Sequence, residues 1–217
     1  MSTRTTLVVS LVLIVVAVAL SAAVYNRLPD RVASHWDAND QVNGTMSRFW
    51  GVFLMPLIAL GMLALFLVVP SIDPMKANIA TFRPIFNAFI VAIIVLLLYL
   101  HVLTIVWNLG YHSFHMSTLL LPALGLIFIL TGLLLRQAKR NFFIGIRTPW
   151  TLSSDRVWDQ THRVGAVLFI ACGVLTFFGA LLPGQTAYLL VLVPIFAATI
   201  FLLVYSYWLY RQEQAGH

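Results

Sequence analysis

Of 217 residues, 61% are hydrophobic and only 9% charged, with a mean hydropathy of +0.94. Soluble domains are about half apolar and a quarter charged, so this composition excludes a water-soluble domain. The 13 Lys and Arg against 7 Asp and Glu would elsewhere suggest nucleic acid. Beside apolar spans such residues serve topology and anionic headgroups instead, and no nucleic-acid partner is expected. The lone cysteine, Cys172, excludes an intrachain disulfide and a thiolate metal cluster, and it reads as a small packing residue.

A bilayer core about 30 Å thick needs about 20 apolar residues in a helix. Six stretches free of Asp, Glu, Lys and Arg meet that length: Leu7 to Tyr25, Phe49 to Pro70, Ile85 to Trp107, Met116 to Leu135, Val164 to Pro183 and Ala187 to Tyr210. Backbone amides in hydrocarbon need internal partners, which makes these runs helices. The expected fold is therefore all-α: a polytopic membrane bundle of six helices forming one domain over 1–217. Its parts are a first hairpin with a structured outer loop (1–70), a second hairpin (71–137), and a loop with a third hairpin (138–217). Arg4 and the small residues Ser21 to Ala23 would suit a cleaved signal peptide. The apolar run is longer than a signal core, so it is read as a retained helix.

With the amino terminus inside, ten of the basic residues fall on the cytoplasmic side: Arg4, Lys76, Arg83, Arg136, Lys139, Arg140, Arg147, Arg156, Arg163 and Arg211. Only Arg27, Arg31 and Arg48 lie outside. The positive-inside rule thus predicts a multi-pass cell-membrane protein with both termini cytoplasmic. Pro56, Pro122 and Pro194 recur at matching depth in the even-numbered spans, where they serve packing or shape a cavity in the outer leaflet.

The first outer connection holds Leu28, Pro29, His35, Trp36 and Asp37, then Asn39, Asp40, Asn43 and Gly44, which tolerate tight-turn backbone. It is expected to fold back over the helices. His35 and Asp37, with His112 and His115 of the third connection, supply enough ligand for zinc if they converge. Hydrogen-bonded interfacial histidines are the commoner outcome, and no metal or cofactor is assigned. In the third span Asn87, His101 and Asn108 fall on one helical stripe, with Thr104 beside His101 and Arg83 just below Asn87. Such a stripe faces protein, either as interhelical glue or as an ion pathway.

The fourth connection is the most informative. It runs Lys139-Arg140-Asn141-Phe142-Phe143-Ile144-Gly145-Ile146-Arg147-Thr148-Pro149-Trp150-Thr151-Leu152 and continues through Trp158, Thr161, His162 and Arg163. Gly145 permits a close backbone approach, Pro149 holds Thr148 extended, and Ser153 or Ser154 before Asp155 resembles a helix start. A short interfacial helix is expected after it, with Val157, Trp158 and Thr161 against the membrane and Asp159 paired to Arg163.

The order of residues from Asn141 to Leu152, followed by Val157-Trp158 and Thr161-His162-Arg163, resembles the signature of the SdpI family of bacterial and archaeal membrane proteins. The outer loop with Leu28-Pro29, His35-Trp36 and Gly44 resembles the amino-terminal domain of unknown function that accompanies it. The resemblance implies a non-enzymatic immunity or signalling role: protection against a membrane-active toxic peptide on the outer side and retention of a cytoplasmic transcriptional regulator. The marked positions it carries over are Asn141, Gly145, Arg147, Thr148, Pro149, Trp150, Trp158, Thr161 and His162. Two alternatives stay open: a small transporter or channel using Asn87, His101, Thr104 and Asn108, and, ranked last, a metal-dependent membrane enzyme on the outer histidines. No hydrolase, kinase or dinucleotide motif is present.

Overall fold

The computed structural model describes residues 1–182 and 184–216. Pro183, expected to close the fifth apolar run, lies outside the described residues. Six long apolar helices cross the membrane: α1 (Thr3–Val24), α2 (Arg48–Ile72), α4 (Arg83–Asn108), α5 (Met116–Gln137), α7 (Asp155–Gly179) and α8 (Gly184–Ala215). Two short helices lie in connections, α3 (Lys76–Thr81) and α6 (Pro149–Ser153). The connection between α1 and α2 forms a two-stranded antiparallel hairpin, β1 (Arg31–Trp36) and β2 (Val42–Ser47), with Arg31 opposite Ser47 and the register slipping around His35. This hairpin defines one end of the bundle; the connection from Ala138 to Ser154 defines the other.

The helix α4 sits at the centre. Phe86, Ile90, Ile94 and Leu98 recur on its buried face and pack with Ile14, Ala17, Ala59 and Leu63 of α1 and α2 and with Leu134 of α5. Outward faces are apolar as well: Val12, Val15, Phe196 and Ile200 are all more than half exposed. On a soluble monomer such surface would aggregate; here it meets lipid. Pro56, Pro122 and Pro194 all lie inside continuous helices.

Lipid tails are as apolar as leucine, so helices associate in a bilayer by close packing rather than by hydrophobic transfer. The antiparallel pair α5 and α7 achieves this with glycines. A Cβ on Gly125 would lie 2.8 Å from the Gly173 carbonyl oxygen, one on Gly173 would lie 2.6 Å from that of Gly125, and one on Gly132 would lie 2.6 Å from that of Ala166. The two backbones therefore touch, and no side chain larger than hydrogen fits between them.

The first turns of α7 correct one expectation. The short helix of the fourth connection is Pro149–Ser153, and the segment after Ser154 is the start of the fifth span itself. Val157, Trp158 and Thr161 are buried within the protein rather than laid against lipid, and Asp159 pairs with Lys139 at 3.6 Å instead of Arg163. Ser154 caps the helix by accepting from the Val157 amide, so the chain enters α7 directly.

Replacing Gly173 by Val is expected to lower stability by about 1–3 kcal/mol through overpacking against the α5 backbone. Gly61→Ala, where an added Cβ meets nothing within 4 Å, is expected to be neutral or stabilising by under about 1 kcal/mol. Thermal unfolding of the two variants in one detergent separates these outcomes.

Candidate functional site

The fourth connection has little regular structure, so its backbone groups need partners from side chains. Asn141, fully buried, supplies four bonds. Its Nδ2 donates to the carbonyls of Lys139 and Ile144, both at 2.8 Å, and its Oδ1 accepts from the amides of Phe143 (2.9 Å) and Ile144 (2.6 Å). The loop is thereby folded around a single amide. Gly145 follows at φ +118°, and a Cβ there would collide with Nε2 of His162 at 2.4 Å. That close approach lets the Ile146 amide donate to His162 Nε2 at 3.0 Å, while His162 Nδ1 donates to the Trp158 carbonyl at 2.9 Å. With Nε2 accepting and Nδ1 donating, the geometry specifies the neutral Nδ1–H tautomer.

Trp158 stacks on His162 with centroids 3.9 Å apart, and its indole donates to the Ala138 carbonyl at 2.9 Å. The signature residues Gly145, Trp158 and His162 thus form one contact, with the loop on one side and α7 on the other. Thr148 caps α6 by accepting from the Thr151 amide, and Thr151 returns a bond to the Thr148 amide. Pro149 occupies the first helical position, where its missing amide costs nothing. The Thr148 hydroxyl also meets that of Ser206 at 3.2 Å, and Trp150 packs on Tyr207 at 5.0 Å, so both bind the loop to α8. The buried Thr161 hydroxyl has no partner among the described residues. Arg147 is exposed, and its Nη1 donates to the Phe142 carbonyl at 2.7 Å.

Sequence reading missed the residue that joins this loop to the rest of the bundle. Asp73, buried at the end of α2, accepts from the Met75 amide at 2.6 Å and from the Phe142 amide at 2.9 Å. Asn78 of α3 adds a bond to the Arg140 carbonyl at 2.7 Å. Arg140 in turn pairs with Asp155 at 2.8 Å and donates to the Leu152 carbonyl. The available signal was that Asp73 is one of only 7 acidic residues and stands directly after an apolar span.

The α4 stripe is engaged along its whole length. Asn87 donates to the Met1 carbonyl and the Thr3 hydroxyl and accepts from Arg83; His101 meets Ser21 of α1 at 3.0 Å. Asn108 accepts from the Ala33 amide at 2.7 Å and donates to the Ala33 carbonyl at 2.9 Å and to the carbonyl of half-buried Thr104. Ser21 also donates to the Val52 carbonyl at 2.8 Å, so α1, α2 and α4 meet at one hydroxyl.

At the hairpin end the residues read as metal candidates take separate partners. His35 bonds Asn43, His112 bonds the Trp107 carbonyl, and Asp37 closes the turn through the Asn39 and Gln41 amides. His115 faces Asp40 at 3.4 Å. Among the described residues no metal-ligating cluster forms. The hairpin does fold back over the helices: Leu28 and Val32 pack on Val52 and Ile105, and Trp36 meets Trp107 edge-on at 5.7 Å. Pro29 lends its carbonyl to Arg48, and Gly44 stands opposite His35. Asp40, at φ +58°, reaches across to accept from both the amide and the hydroxyl of Ser117 at the start of α5. A carboxylate there satisfies free helix amides and complements the helix dipole.

Two family models match separate parts of the chain. Residues 137–206 match the family model described as the SdpI/YfhL protein family. The signature loop lies within that match. Residues 12–60, which contain the β-hairpin, match a domain of unknown function, DUF1648. Across its length the chain is similar to a protein named Immunity protein SdpI from Bacillus subtilis (strain 168), 23% identical over 205 residues, covering 94% of this chain and 96% of that one. No solved structure matches.

Asp73→Asn replaces an acceptor with a donor facing a buried amide and is expected to cost about 1–3 kcal/mol. Asp30→Asn removes a surface ion pair with Arg48 whose carboxylate side chain is 94% exposed, and should cost under about 1 kcal/mol. Chemical denaturation followed by tryptophan fluorescence measures both.

Proposed function

We propose that this protein is a non-enzymatic membrane immunity protein, oriented with both termini, α3 and the signature loop in the cytoplasm and the β-hairpin outside. The observation that carries the reading is the likeness to a protein named for immunity, which spans 94% of this chain and 96% of the relative. The charge distribution supports the orientation: ten basic residues accompany the signature end, and Arg27, Arg31 and Arg48 the other. The chain works as one integral membrane domain.

In this reading the hairpin and adjoining helix ends meet an apolar toxic peptide from outside, and the signature loop presents a docking face to a cytoplasmic regulator. Arg147 is the residue best suited to that face. Its bond to the Phe142 carbonyl fixes the guanidinium at the surface, and a planar fork grips a carboxylate or phosphate in a way that an ammonium cannot. The α4 stripe supports an interhelical tie rather than a conduction path, because Asn87, His101 and Asn108 are each bonded to a different segment of the chain's first third.

Arg147→Lys is expected to weaken survival by about tenfold in cells challenged with the toxic peptide, equivalent to one charge-assisted hydrogen bond of about 1.5 kcal/mol, at unchanged abundance in the membrane. Wild-type survival from that variant removes Arg147 from the mechanism. His101→Leu is expected to lower thermal stability, while wild-type protein in liposomes leaves cation and proton gradients unchanged; a flux that this substitution abolishes supports transport instead.

A further inference from the structure

A furrow of about 570 Å³ runs between α5 and α7 at the signature end. Its mouth carries Arg136, Lys139, Asp159 and Arg163, and its inner wall is Ala166, Val167 and Ile170. Residues 159, 163, 166, 167 and 170 lie on one stripe of α7, so the furrow is charged where it opens beyond the bilayer and apolar where it descends into it. Three cations against one carboxylate leave the mouth with a charge of about +2. Lys139 is already turned toward Asp159 at 3.6 Å, which neutralises the carboxylate. Arg136 and Arg163, both exposed, take part in none of the ion pairs among the described residues. The depth of the furrow is closed by the α5/α7 glycine contact, where backbones touch and nothing can pass.

We propose that this furrow binds one anionic phospholipid, its phosphate between Arg136 and Arg163 and an acyl chain along Val167 and Ile170. Charge at one end and a lipid-facing apolar wall at the other fit a molecule that is itself anionic at one end and aliphatic at the other. Guanidinium forks suit phosphate oxygens, and basic pockets between membrane helices are suited to acidic headgroups. Val167 is 66% exposed, so the acyl contact needs no rearrangement. The site does not include Arg147, it borders the signature loop through Ala138 and His162, and it does not depend on the immunity reading.

The test is native mass spectrometry of the full-length protein in a neutral detergent, titrated with phosphatidylglycerol, phosphatidylcholine or inorganic phosphate. Wild-type protein is expected to retain one phosphatidylglycerol in preference to phosphatidylcholine, with inorganic phosphate failing to displace it. Arg136→Gln and Arg163→Gln should each reduce that preference about fivefold, while Arg4→Gln and Arg211→Gln, also at this end of the bundle, leave it intact. Unchanged thermal unfolding of the two furrow variants verifies that folding is not the cause. Equal retention of the two lipids, wild-type preference in the Arg136→Gln/Arg163→Gln double variant, equal loss in the Arg4 and Arg211 controls, or displacement by inorganic phosphate each overturns the proposal.

Discussion

A backbone amide taken out of water must find an acceptor inside the protein, and the cost of leaving one unpaired is larger than the gain from making the bond. The six spans meet this demand through their own helical hydrogen bonds. The fourth connection cannot, because from Ala138 to Arg147 it has no regular element. It meets the demand with side chains: Asn141 bonds four backbone groups, Asp73 receives Phe142, and His162 receives Ile146. Asn141 and His162 are thus signature positions where a backbone group would otherwise be stranded, and the conformation of the loop follows from that requirement.

The same logic recurs through the bundle. Asn87, His101 and Asn108 fasten one face of α4 to the chain's first residues, to α1 and to β1 in succession. Asp40 does at the hairpin end what Asp73 does at the other: it accepts from a backbone amide far away in sequence, that of Ser117, as Asp73 accepts from that of Phe142. Where polar ties are absent, between α5 and α7, contact is made by removing side chains altogether. Polar fasteners hold the first half and the loop, and close backbone packing holds α5 to α7 in the second half.

How much of this was legible depended on the range of the interaction. The spans follow from local apolar length, and the α4 stripe from spacing on a single helix, so both could be read directly. The partners of that stripe could not, because Met1, Ser21 and Ala33 become its neighbours only once α1 and β1 are placed. Local signals also misled at one point: Ser153-Ser154-Asp155 does mark a helix start, but the helix that follows continues across the membrane. Amphipathic-looking turns therefore became buried ones, with Trp158 placed under the loop rather than against lipid. The outer histidines share an end of the molecule without converging: His35 bonds Asn43, His112 bonds the Trp107 carbonyl, and His115 faces Asp40. Asp73 escaped notice, and Asp40 was legible only as a turn residue, because their distant partners lie about 70 residues or more away in sequence.

These features give the proposed immunity role a physical frame, in which a loop built into the bundle presents Arg147 at a fixed position rather than on a mobile tether. Hydrogen–deuterium exchange on the full-length protein in lipid nanodiscs, resolved to the amides of Phe143, Ile144 and Ile146, addresses that frame most directly. Side-chain acceptance by Asn141 and His162 predicts protection as strong as in the first turns of α7. Exchange at the rate of an unstructured chain would contradict it.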